Sequence, residues 1–74
     1  MADIEAKTDV TGAVWKIVTE VGQKLEAGDT IMVIESMKME IPVIAEDGGT
    51  VRKFLVEEST PVTEGQVVAL LSSA

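Results

Sequence analysis

The chain has 74 residues, carries 13 acidic and 6 basic side chains for a formal net charge of −7, and contains no cysteine, histidine or tyrosine. This length is enough for one domain, residues 1–74. The acidic balance disfavours nucleic acids and anionic membranes as partners. The missing residue types include the commonest metal ligand and the thiol nucleophile, so we expect no metal site and no self-contained enzyme. An acidic N-terminus and the lack of cysteine favour a cytoplasmic location.

The first half of the chain predicts four short strands. Valine and isoleucine are abundant there, and turn residues recur at short intervals. Gly22 and the pair Gly28-Asp29 mark two of the turns. No stretch has a convincing helical period. We expect the strands at 3–8, 12–20, 24–26 and 29–36.

The second half predicts four more strands, at 39–45, 49–57, 61–63 and 66–73. The first of them alternates, and its core-facing positions are predicted to be Met39, Ile41, Val43 and Ala45. Pro42 falls on the other face and predicts an edge or a bulge, because proline cannot donate to a strand ladder.

The two halves are copies of one unit. An offset of 37 positions aligns residues 1–36 with 38–73 without a gap. Two units are too few for a solenoid, so we expect two interlocked halves related by a pseudo-two-fold axis. The fold class that follows is all-β, a flattened antiparallel barrel or sandwich of about eight short strands. Identical pairs include Gly12 with Gly49, Val14 with Val51, Lys16 with Lys53, Glu20 with Glu57 and Gly28 with Gly65.

The joint between the halves is a hairpin with unusual turn chemistry. A two-residue hairpin prefers Asn-Gly or Asp-Gly, because its turn requires positive φ. Here the turn is built from Ser36, Met37 and Lys38, and a strained residue costs about 1–3 kcal/mol. A local violation in an otherwise consistent sequence indicates a functional site. The alternative is a longer turn with an inert, solvated lysine. The repeat also predicts that the two termini lie together, opposite Lys38.

The segment Glu35-Ser36-Met37-Lys38-Met39-Glu40 resembles the biotin-attachment signature of the biotinyl/lipoyl carrier domain family, Glu-Ala-Met-Lys-Met, with Ser36 in place of alanine. The resemblance covers essentially the whole chain and implies the barrel-sandwich fold of that family. One class of biotin carriers has an extra loop, the thumb, in its first half. The gap-free repeat leaves no room for it, so the chain resembles the thumbless carriers.

By this resemblance, a biotin protein ligase joins biotin covalently to Lys38. The biotin then shuttles a carboxyl group from a biotin carboxylase to a carboxyltransferase, and the domain itself is not a catalyst. Met37 and Met39 resemble the pair that flanks biotinyl-lysine and is expected to act in recognition, although packing in the hairpin is the alternative for Met39. Glu35 is a candidate for recognition by the ligase, with a solvated charge as its alternative.

Two other functions compete with this one. A lipoyl carrier domain of a 2-oxoacid dehydrogenase-type complex, or the related glycine-cleavage carrier, would have the same fold with lipoate on Lys38. The lipoyl motif has aspartate before the lysine and alanine after it, whereas both positions are methionine here. A non-carrier interaction module is the second alternative.

Trp15, whose repeat mate is Arg52, either faces a partner or is partly buried at the edge of the core. The sequence does not identify the molecule that accepts the carboxyl group. It also does not show whether the carrier is free-standing or a domain of a longer carboxylase.

Overall fold

The computed structural model describes residues 3–73, which contain eight strands and no helix. The strands are Asp3–Lys7 (β1), Gly12–Ile17 (β2), Lys24–Leu25 (β3), Asp29–Ser36 (β4), Met39–Ala45 (β5), Gly49–Phe54 (β6), Pro61–Val62 (β7) and Val67–Ser72 (β8). All eight predicted strands are present. No helix that could cross a membrane occurs in this part of the chain.

The largest error in the predicted boundaries concerns β2 and β6, which end three residues earlier than their composition suggests. After Ile17 the chain leaves its sheet, because β3 must pair with a strand of the other sheet. The Thr19 hydroxyl donates to the carbonyl of Ile31 at 2.9 Å and holds this crossing. The loop after β6 makes the equivalent crossing in the opposite direction.

The strands form two four-stranded antiparallel sheets. Sheet A has the order β1-β8-β6-β3 and sheet B the order β5-β4-β2-β7. Shifting every strand of sheet A by one repeat reproduces sheet B. The registers agree as well, since Asp3 lies opposite Ser72 in sheet A and Glu40 lies opposite Glu35 in sheet B. The predicted pseudo-two-fold relation and the barrel-sandwich architecture are therefore confirmed. No inserted thumb interrupts the first half between residues 3 and 36.

The core lies between the two sheets and takes side chains from both halves. Ile31 and Met32 are both fully buried, because a register shift between Thr30 and Met32 turns both of them inward. Each apolar side chain of this size stabilises the fold by about 1.5–3 kcal/mol when it is buried. The other apolar side chains with almost no exposure are Val14, Ile34, Val51, Val68, Ala69 and Leu71.

The hairpin and the chain ends lie at opposite ends of the molecule, whose extents are 35 × 17 × 17 Å. Residues 1, 2 and 74 lie outside the described part, but Asp3 and Ser72 are paired. Thr50, at the start of β6, also lies opposite Ser72. From there β6 and the following loop run to the other end, where the backbone N–H of Ser59 donates to the carbonyl of Val14 at 2.7 Å. That end carries the β4–β5 hairpin, as the repeat predicted.

Candidate functional site

Met37 and Lys38 form a two-residue turn between β4 and β5. Ser36 pairs directly with Met39, so no other residue belongs to the turn. The φ angles of Met37 and Lys38 are 52° and 65°, both in the left-handed region. Positive φ at both central positions is the signature of a type I′ turn. The predicted strained hairpin is therefore present, and a long relaxed turn is excluded.

The pairing of the flanking strands holds this turn in place. β4 and β5 are paired along their whole length, from Asp29 with Ala45 to Ser36 with Met39. A left-handed conformation costs a non-glycine residue about 1–2 kcal/mol. The turn persists because the surrounding structure over-determines it. Pro42 lies on β5, at the edge of sheet B, where its missing N–H breaks no ladder bond, and this confirms the predicted edge position.

The Lys38 side chain is exposed at the apex of the turn. Within residues 3–73 its amine takes part in no hydrogen bond or ion pair, and the ion pair found there joins Arg52 to Asp3 at the opposite end of the molecule. An exposed amine without a bonded partner is accessible for forming an amide bond with a carboxylic acid. Lys38 therefore fits a covalent attachment point.

Met37 and Met39 form an exposed apolar collar around the lysine. Their side chains are 92% and 63% exposed. Met39 continues the inward-facing series of β5, but Ile41 is already only partly buried, so the core ends before Met39. The alternative that Met39 packs in the hairpin is not supported. Flexible thioether side chains at such positions suit transient apolar contacts.

Glu35 and Glu40 lie directly opposite each other one step below the turn. Both side chains are exposed, and like charges directly opposite each other in a cross-strand pair destabilise a hairpin. The pair gives the base of the tip a negative potential. Glu35 therefore lies at the base of the tip, three positions before Lys38 on β4, and its role in ligase recognition stays a prediction.

Two further residues hold the hairpin against β2, and the sequence did not reveal their roles. The Ser36 hydroxyl donates to the carbonyl of Thr11 at 2.7 Å. At Gly12, the backbone of Glu35 passes so close that an added Cβ would collide with the carbonyl oxygen of Glu35. The role of Gly12 could have been inferred from the repeat, in which Gly12 aligns with Gly49. Glycine at both equivalent positions indicates that another backbone segment passes close by.

Comparisons with known proteins identify a family for this chain. The Biotin_lipoyl family model, described as "Biotin-requiring enzyme", matches residues 5–71. The biotin/lipoyl attachment protein of Bacillus subtilis (strain 168) is 37% identical over 65 residues, which are 88% of this chain and 89% of that protein. The biotinylated protein TB7.3 homolog of Mycobacterium leprae (strain TN) is 32% identical over 68 residues, 92% of this chain and 96% of that protein.

A solved structure shows the same fold within a large enzyme. The urea carboxylase of Kluyveromyces lactis matches with a TM-score of 0.92 and 36% identity. The match covers 97% of this chain but only 6% of that protein. The family match over most of the chain, the relatives of similar length and the lysine at the strained tip lead to one conclusion: this chain belongs to the biotin/lipoyl attachment family.

Proposed function

We propose that Lys38 is the residue to which biotin is attached, and that the chain works as the carboxyl carrier of a biotin-dependent carboxylase. The observation that carries the proposal is the partner-free, exposed amine of Lys38 at a left-handed two-residue turn between two exposed methionines. Strain is kept at this turn, where neither central residue is glycine or asparagine.

Biotin, rather than lipoate, is the covalent group supported for this chain. Methionine stands on both sides of Lys38, where the lipoyl motif has aspartate and alanine. The Mycobacterium leprae relative is named a biotinylated protein, and the structural match is to a urea carboxylase. When bound, biotin carries a carboxyl group between two catalytic sites.

The contribution of this chain is mechanical. The paired strands β4 and β5 hold the Lys38 backbone rigidly at one end of a 35 Å long domain, so the side chain and its cargo extend away from the body. No catalytic group is supplied, in keeping with the non-catalytic role of carrier domains in this family. Tethering keeps the effective concentration of the cargo high at both sites, about millimolar for a short flexible link.

A carboxylase is the partner that the comparisons support. We propose in addition that a biotin protein ligase loads Lys38, and that the loaded carrier visits a biotin carboxylase and a carboxyltransferase in turn. The exposed collar of Met37 and Met39 is the apolar surface that these partners would share. A cytoplasmic place of action is proposed on the sequence evidence alone.

Loading can be tested by coexpressing the chain with a biotin ligase and, separately, with a lipoate ligase, and then measuring intact masses. We expect one biotin per chain, lost in Lys38→Arg and kept in Lys53→Arg, which alters an exposed lysine on β6. Lipoate uptake without biotin uptake would contradict the proposal. So would biotin that persists in Lys38→Arg.

A further inference from the structure

The outer faces of the two pseudo-symmetric sheets differ in their chemistry. Because the halves superimpose strand for strand, each outward position of sheet B has a counterpart in sheet A at the same place in the fold. Three outward positions that are charged in sheet A are apolar in sheet B: Glu5, Lys7 and Arg52 correspond to Pro42, Ile44 and Trp15. All six side chains are exposed.

The apolar residues lie side by side on three adjacent strands. Pro42 on β5 is opposite Val33 on β4, and Val33 is opposite the bulge of β2 that contains Trp15. Ile44 continues the row along β5. Trp15 is 48% exposed and Ile44 is 44% exposed. We call Trp15, Val33, Pro42 and Ile44 the sheet B patch.

The fold does not require this patch. Sheet A has the same strand order and register as sheet B but carries charged side chains at three of the corresponding positions. Charged residues at these outward positions are therefore compatible with the fold. An exposed apolar group gathered on one face marks an interaction site. Tryptophan is among the residues most enriched at the energetic centres of protein interfaces.

The charge around the patch indicates what kind of partner fits. The strands of sheet B carry three carboxylates, Asp29, Glu35 and Glu40, and one cation, Lys16. The strands of sheet A carry four cations, Lys7, Lys24, Arg52 and Lys53, and two carboxylates, Asp3 and Glu5, so the balance of charge has the opposite sign. A partner surface with an apolar centre and a rim of lysine and arginine complements sheet B. A second copy of this chain fits poorly, because each copy has a net charge of −7 and the acidic tips of two copies would repel each other.

We infer that the sheet B patch is the surface on which this carrier docks on its carboxylase. The inference rests on the proposed carrier function. Along β5 the patch runs from Pro42 to Ile44, which are four and six residues, or about 13 and 20 Å, from Lys38. A ligase acts on the lysine amine itself, so we expect it to contact the tip from Glu35 to Glu40 and not the patch. A carboxylase must hold the body of the carrier while the far end of the biotinyl arm is inside its site.

The test exchanges residues between repeat mates. Trp15→Arg and Ile44→Lys place the sheet A residue on sheet B, and Arg52→Trp makes the reverse change on the outer face of sheet A as a matched control. All proteins are first biotinylated fully, as judged by intact mass, and their melting temperatures are compared. Carboxylation of each carrier by the biotin carboxylase of the same host is then measured at several carrier concentrations.

We expect KM for the carrier to rise about tenfold in Trp15→Arg, and severalfold in Ile44→Lys, with kcat retained. Arg52→Trp should stay within about twofold of the unchanged protein. Added salt should raise KM of the unchanged carrier, because the partner's rim is basic. The rate of biotin loading by the ligase should be the same for all four proteins.

Three results would overturn the docking surface: equal KM values for all variants, a loading rate that falls in parallel with carboxylation, or a dimer in sedimentation that Trp15→Arg dissociates. An unchanged carrier that takes up no biotin, or takes up biotin and is not carboxylated, would instead contradict the proposed function. The two failures are therefore distinguishable.

Discussion

The strain at the tip predicts that Met37→Asn stabilises the protein. Met37 has a φ of 52°, and asparagine is among the few non-glycine residues that adopt this conformation readily. The side chain of Met37 is 92% exposed, so its removal sacrifices almost no packing. The change in stability therefore reports the backbone alone.

The expected size follows from the cost of the conformation. A left-handed residue costs about 1–2 kcal/mol, and asparagine relieves part of it, so the free energy of unfolding should rise by about 1 kcal/mol. For a domain of this size that corresponds to an increase of about 4–8 °C in Tm. Thermal and urea unfolding followed by circular dichroism would measure it on the unbiotinylated protein.

Two controls isolate the cause. Ser59→Asn changes another exposed residue with positive φ, 72°, in the loop after β6, and should also stabilise. Met39→Asn changes the other exposed methionine, which lies in strand β5 outside the left-handed region, and should give no gain. If Met37→Asn leaves the free energy of unfolding unchanged or lowers it, the turn is not a reservoir of strain and the physical argument for a specialised tip fails.

Two further predictions concern the tip and its support. Changing Met37 and Met39 together to leucine should leave Tm within a few degrees, because neither side chain is buried, while carboxyl transfer falls; a sharp drop in melting temperature would restore the packing explanation. Gly12→Ala should lower the free energy of unfolding by about 1–3 kcal/mol, since its new methyl group meets the backbone of Glu35; urea titration that shows no shift in midpoint would contradict this close approach.

The sequence by itself determined the strands, the repeat and the tip. Strand alternation, turn residues and internal repetition are local or self-comparing signals, so they need no knowledge of which surfaces meet. The lack of Asn or Gly at Met37-Lys38 was visible in the same way. The ends of β2 and β6 could not be predicted from the sequence, because Val18 and Leu55 are residue types that favour strands. The chain leaves each sheet at these points because the next strand, β3 or β7, pairs in the other sheet.

The tertiary structure decided everything that depends on pairs far apart in the chain. Ser36 reaches the carbonyl of Thr11 across 25 positions, and Gly12 makes room for the Glu35 backbone; neither contact has a local signature. Met39 has an inward-facing position but no core to enter, because the core ends nearer Ile41. The contrast between the two outer faces likewise becomes visible only when sheet pairing aligns Trp15, Val33 and Pro42 in one row, since a single strand shows each of them as an isolated apolar residue.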